Sequence, residues 1–139
     1  MLVFLAATAL QTAPATVACP GGLHASPAAP CPTLIFFDSS EANINRDAAR
    51  ALDEVVASWK TGGFSHVLLE GHSDLSGPTG ANLRVARQRA EAVKDWLAER
   101  GVPAAAITVR SHGETRPFIP TADGVREPQN RRVAVRLER

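Results

Sequence analysis

Residues 71–90 read Gly-His-Ser-Asp-Leu-Ser-Gly-Pro-Thr-Gly-Ala-Asn-Leu-Arg-Val-Ala-Arg-Gln-Arg-Ala. The first half, from Gly71 to Gly80, is rich in Gly, Ser, Asp and Pro and marks a loop. From about Ala81 to Arg100 the pattern becomes helical, with Leu83, Ala86, Ala90, Val93 and Leu97 on one face. Gly101 suits the C′ position of that helix, and Pro103 prevents its continuation. Upstream, Phe64 to Glu70 predicts a strand around the apolar run Val67-Leu68-Leu69. A strand, a polar loop and a long helix in succession are the first part of a β-α-β unit.

The same alternation extends in both directions. Thr33 to Phe37 is a short β-prone run closed by the turn cluster Asp38-Ser39-Ser40. Asn45 is placed to cap a helix from about Arg46 to Lys60, whose Leu52, Val55, Val56 and Trp59 share a face before Gly62-Gly63 ends it. Ile107 to Ser111 predicts a third strand. Beyond a loop carrying Pro117, Pro120 and Pro128, Arg131 to Leu137 alternates Val133, Val135 and Leu137 against Arg132, Ala134 and Arg136, as a half-buried strand does. The order β-α-β-α-β-β predicts an α/β two-layer sandwich, with two main helices on one face of a mixed sheet.

Composition narrows the function. The 139 residues carry 15 basic and 14 acidic side chains, so no charge excess points to nucleic acid. No apolar run approaches the ~20 residues a membrane-spanning helix needs. Tyr is absent and aromatics make up 5% of the chain, which argues against a stacking platform for bases or sugars. Residues 1–18 are expected to be an export signal: Met1 to Leu10 is apolar and Ala-rich, although no Lys or Arg precedes it. Residues 19–32 have the composition of a Pro/Gly/Ala-rich spacer, extended where proline dominates, and residues 33–139 form the folded domain. Cys19 and Cys31 leave three readings open: lipidation of Cys19 after Val17-Ala18, a disulfide between the two in an oxidising compartment, or two thiols with no special role.

Helix geometry gathers the chemistry. Asn82 and Arg89 are seven residues apart, two turns along nearly one azimuth, beside the stripe of Leu83, Ala86 and Ala90. Asp74 precedes them in the loop, near the helix N-terminus, whose N–H groups and dipole favour anions. An Asp with an ordinary pKa of ~3.9 is ionised at neutral pH and can hold an ammonium. Arg89 offers a planar fork for a carboxylate, and Asn82 can donate or accept. The set suits one zwitterionic centre, –CH(NH3+)–COO−.

These residues, with Asn130-Arg131-Arg132-Val133 near the C-terminus, resemble the OmpA C-terminal-like family of peptidoglycan-binding domains, of the peptidoglycan-associated lipoprotein type, over Thr33 to Arg139. The resemblance implies the same fold and no cofactor. It implies that Asp74 and Arg89 hold the diaminopimelate of the peptidoglycan stem peptide, with Asn82, Asp38, Ser39 and Arg131 lining the groove and Arg132 as the alternative to Arg131. It also implies a place in the periplasm or at the outer membrane, with a lipid anchor on Cys19 and envelope proteins among the partners considered. Departures are Ser73 for the usual Thr, Val85-Ala86 where Leu-Ser is common, and Ala81 where an aromatic is frequent.

Rival readings remain. A soluble periplasmic adaptor would keep the fold and bind another envelope protein. A small metal-dependent hydrolase would use His72, Asp74 and His112, but His66 and His72 sit on different elements and no cysteine joins them, so no metal site is expected and His72 is expected to bond within its loop. His72, Ser73 and Asp74 are consecutive and cannot form a catalytic triad, and no Gly-x-Ser-x-Gly elbow is present. Trp59 and Trp96 are expected to pack rather than bind.

Overall fold

A computed structural model describes residues 17–19, 24–26, 28–39 and 41–139. In chain order the elements are β1 (Val17–Ala18), β2 (His24–Ala25), β3 (Thr33–Phe36), α1 (Arg46–Thr61), β4 (His66–His72), α2 (Thr79–Glu99), β5 (Ile107–Gly113) and β6 (Arg132–Glu138). Short 3-10 turns cover Ala104–Ala106 and Pro128–Asn130. The main sheet runs β3-β6-β4-β5, with β4 and β5 parallel and β6 antiparallel to both β3 and β4. Parallel pairing of β4 with β5 follows from the α2 crossover between them, whereas β6 returns along the chain and fills the gap beside β4. The result is the mixed-sheet, two-helix sandwich that the residue pattern predicts.

The core has one side of the sheet as its floor. Ile35 of β3, Val67 and Leu69 of β4, Ile107 of β5, and Val133, Val135 and Leu137 of β6 bury together with Leu52, Val55 and Val56 of α1 and Ala90, Val93 and Leu97 of α2. The period of two in the strands meets the period of 3.6 in the helices there. Asn45 caps α1, its Oδ1 accepting from Ala48 N at 2.8 Å, and Gly62 N closes the other end on Ser58 O at 2.8 Å. The second helix begins two residues earlier than its apolar period suggests, at Thr79, because Pro78 lies in extended conformation immediately before it.

One contact sets how α2 lies on the sheet. A Cβ placed on Gly71 would come within 2.1 Å of the Ala86 carbonyl oxygen, so the end of β4 touches the backbone of α2. That approach brings the next turn of α2, which carries Arg89, over the end of β4 and the loop that follows β3.

The leader departs from the extended spacer expected for residues 19–32. Val17 pairs with Ala25 and Ala18 with His24, Ser26 bridges Ala29, and Arg139 N donates to Ala28 O at 2.8 Å. A disulfide joins Cys19 to Cys31 and closes this fold-back. Composition could not reveal it, since a covalent staple and main-chain bonds here replace the apolar core that proline-rich sequence lacks. Of the three readings for the cysteines, the structure therefore holds the disulfide. The Cys19 sulfur is bonded to Cys31 in this structure, and the lipidation reading is left as an expectation. Most of the stretch expected to be an export signal, residues 1–16, lies outside the described residues. Among the described residues no helix is long and apolar enough to cross a membrane.

The contact at Gly71 makes a graded prediction. Gly71→Ala should lower the unfolding free energy by at least ~1–3 kcal/mol in urea titration, because the helix backbone cannot yield as a flexible side chain can. Gly80→Ala, where an added Cβ meets nothing within 4 Å, should leave stability unchanged or raised.

Candidate functional site

Asp74 sits just past β4 and is 3% exposed. Its Oδ1 accepts from Ser76 N at 3.2 Å and Ser76 Oγ at 2.6 Å, the local turn an Asp makes two residues ahead of a hydroxyl. Its Oδ2 accepts from Glu127 N at 3.3 Å and Arg131 Nη1 at 3.2 Å. Burial pushes the Asp74 pKa up, but the donors from Ser76, Arg131 and Glu127 outweigh it and hold the carboxyl below its ordinary value.

Arg89 is 1% exposed, the bulkiest of the fully buried side chains. Nε donates to Glu41 O at 2.8 Å, Nη2 to Asp38 O at 3.0 Å and Nη1 to His72 O at 3.4 Å. Its guanidinium carbon lies 5.6 Å from the centre of the Phe37 ring. Among the described residues, no carboxylate lies within ion-pair distance of it. Burial, with the like charge of Arg131, lowers its pKa to about 10 against the attraction of Asp74, so it stays cationic at neutral pH. Three of a guanidinium's five N–H groups are engaged by these carbonyls.

Asp74, Asn82, Arg89, Ser39 and Arg131 line one cleft of about 50 Å³, completed by Ser73, Ser76 and Val85. Five of the six residues singled out from sequence thus meet. That volume is far below the ~300–1,000 Å³ of whole-ligand pockets, so the cleft can take only a small polar end group. Asp38 behaves differently. Its carbonyl accepts from Arg89, while the residue lines a neighbouring hollow with Phe36, Phe37, Asn45, Gln129 and Arg131. Of the two arginines, Arg131 lines the cleft and also donates from Nε to Phe37 O at 3.1 Å, whereas Arg132 turns away to Arg116 O at 3.1 Å and lies 5.5 Å from the Phe118 ring centre.

Sequence reasoning missed Ser76, whose signal was its spacing from Asp74, and Glu114, which has none. Glu114 Oε2 accepts from Asn82 Nδ2 at 3.1 Å across 32 positions of sequence. His72 is held within the fold through both its ring and its main chain. The ring bonds to the main chain at Arg116 while Nδ1 is buried without a hydrogen-bond partner, and the main-chain oxygen is one of three that accept from Arg89. Burial and the nearby Arg132, His112 and Arg116 charges lower its pKa to about 3, with a main-chain bond at Arg116 acting the other way. Among the described residues no group of three or more acidic, His or Cys side chains is placed to hold a metal ion.

The topology and the cleft at the ends of the strands define an open-sheet α/β domain with a small cleft lined by charged side chains. The chain belongs to the OmpA family, whose model matches residues 36–131. It is similar to the peptidoglycan-associated lipoprotein of Pseudomonas putida, 34% identical over 121 residues that cover 87% of this chain and 72% of that one. It is also 34% identical over 110 residues to an outer membrane protein of Gluconacetobacter diazotrophicus, covering 75% of this chain and 29% of that one. The crystal structure of the peptidoglycan-associated lipoprotein from Burkholderia pseudomallei has a TM-score of 0.69 at 26% identity, covering 76% of this chain and 90% of that one. This chain thus spans from 13% to 72% of the length of the curated relatives first matched.

The buried imidazole predicts a pH dependence. The folded pKa of His72, about 3, lies below its ordinary 6.5, so the unfolded chain binds more protons between those values. The corresponding stability is fully present above pH 6.5 and is lost as pH falls toward 3. Asp74 adds a further loss only below the ordinary carboxylate range, since its folded pKa is the lower one. Urea unfolding from pH 7 to pH 4 should show a decline that His72→Gln reduces. NMR should find the native His72 ring neutral at pH 5; a ring titrating near 6.5 in the folded chain contradicts this.

Proposed function

We propose that this chain is a non-catalytic domain of the bacterial envelope that binds peptidoglycan and ties the outer membrane, or a complex at that membrane, to the cell wall. The observation that carries the reading is one small cleft holding an ionised Asp74 and a buried Arg89 with N–H groups to spare, in a chain of the OmpA family. Relatives named peptidoglycan-associated lipoproteins support the wall as the partner. The ligand group we assign is the free –CH(NH3+)–COO− end of diaminopimelate in the stem peptide, which is small enough for the cleft and carries both charges.

Binding then requires an exchange. Asp74 already accepts four hydrogen bonds, which fills the lone-pair sites of a carboxylate. An incoming ammonium must displace one donor, and Arg131 is the one whose departure leaves the charge balance unchanged. Arg131 so released, with the unused N–H groups of Arg89, takes the ligand carboxylate. Asn82 and Ser39 orient the group, and Asp38 serves through its main chain by holding Arg89. The periplasm is the compartment that fits, since the Cys19–Cys31 disulfide needs an oxidising environment.

Co-sedimentation of the full chain with diaminopimelate-type sacculi tests the reading. The native chain should pellet. Asp74→Asn and Arg89→Lys, each confirmed as folded by circular dichroism, should bind at least about tenfold more weakly, since each loses a charge-assisted hydrogen bond of ~1.5–3 kcal/mol. A native chain that stays in the supernatant overturns the assignment.

A further inference from the structure

Asn82 is 8% exposed and its amide nitrogen is already committed. Nδ2 donates to Glu114 Oε2 at 3.1 Å and to Gly77 O at 3.4 Å. Both partners only accept, so the amide cannot turn over without setting Oδ1 against a carboxylate. Glu114 is held in turn, its Oε1 accepting from Thr79 Oγ1 at 2.5 Å in the first turn of α2. Among the described residues nothing donates to Asn82 Oδ1, and it is not occluded as an orphaned buried atom. Asn82 lines the cleft, Glu114 does not.

We infer that Glu114 is a positioning residue that makes Asn82 an acceptor-only group, so that Asp74 and Asn82 Oδ1 together read a ligand ammonium while Arg89 and Arg131 read its carboxylate. The inference rests on the zwitterion reading of the cleft and refines it. A free amide would be neutral toward the two ends of such a ligand, donating to one or accepting from the other. With its nitrogen tied to a carboxylate, Asn82 takes a side. The Glu114 charge, one hydrogen bond behind the amide, biases that wall further toward cations. The cleft accordingly discriminates a primary ammonium from the acylated nitrogen of an ordinary peptide bond, which could offer neither the charge nor three donors.

Calorimetric titration of the full chain with a soluble stem tripeptide ending in diaminopimelate tests this. Glu114→Gln is nearly isosteric and keeps an acceptor for Thr79, but its amide can donate and lets Asn82 turn over. It should weaken binding about tenfold, the loss of one well-placed charged hydrogen bond. The double variant Asn82→Asp with Glu114→Gln reverses donor and acceptor behind the cleft, because the introduced amide donates to the introduced carboxylate and an oxygen again faces the ligand. It should bind at least about threefold more tightly than Glu114→Gln alone, a recovery that a merely structural Glu114 does not produce. Unchanged affinity for folded Glu114→Gln, or a double variant weaker than Glu114→Gln alone, overturns the role of Glu114 while leaving the wall-binding reading intact. A native chain that fails to bind the peptide overturns both.

Discussion

The Arg89 guanidinium is the constraint on which the functional end of this domain is built. Taking an unpaired cation out of water costs several kcal/mol, and the chain recovers that only by surrounding it with oxygen. The oxygens come from Asp38 and Glu41, ahead of α1, and from His72, at the end of β4. Two stretches more than thirty residues apart are thereby fastened to one turn of α2. The geometry depends on Gly71, which lets β4 touch the helix backbone at Ala86, one turn before Arg89. The cation thus serves the fold, and among the described residues no carboxylate lies within ion-pair distance of it.

Asp74 is the counterpart, and the two are kept apart. Arg131 and Ser76 hold its carboxylate, so acid and buried cation face one cleft without joining each other. A direct Asp74–Arg89 pair would satisfy itself and leave no reason to bind. Instead each charge is stabilised by groups that a ligand can replace or supplement, which is the condition for recognition rather than structural pairing. Arg131, the cation paired with Asp74, keeps 12% side-chain exposure, and it is the partner that the proposed exchange would release.

Much of this was legible in the residues. The strand and helix order followed from apolar periods, and the seven-residue spacing of Asn82 and Arg89 placed both on the helix flank beside Asp74. Family resemblance brought in Ser39 and Arg131, and both reach the cleft. What stayed hidden was tertiary. Nothing near Glu114 announces a partner 32 residues away, and no pattern shows that Arg89 is wrapped by carbonyls rather than exposed in an Arg-rich helix. Asp38 was expected to line the groove by backbone and side chain together, and sequence does not encode that its carbonyl is the part that meets Arg89. The leader failed for a different reason: Pro, Gly and Ala predict an open chain, but the disulfide and a main-chain bond from Arg139 impose a fold on it.

The central claim is that one cleft reads both charges of a single zwitterionic centre, and it is tested most directly by varying the ligand. Affinity of the full chain should be measured for three stem peptides, ending in diaminopimelate, in lysine, which lacks the side-chain carboxylate, and in 2-aminopimelate, which lacks the side-chain ammonium. The account predicts that removal of either charge weakens binding about tenfold or more, in line with one lost charged contact. Equal affinity for all three would contradict it, and would place recognition elsewhere on the domain.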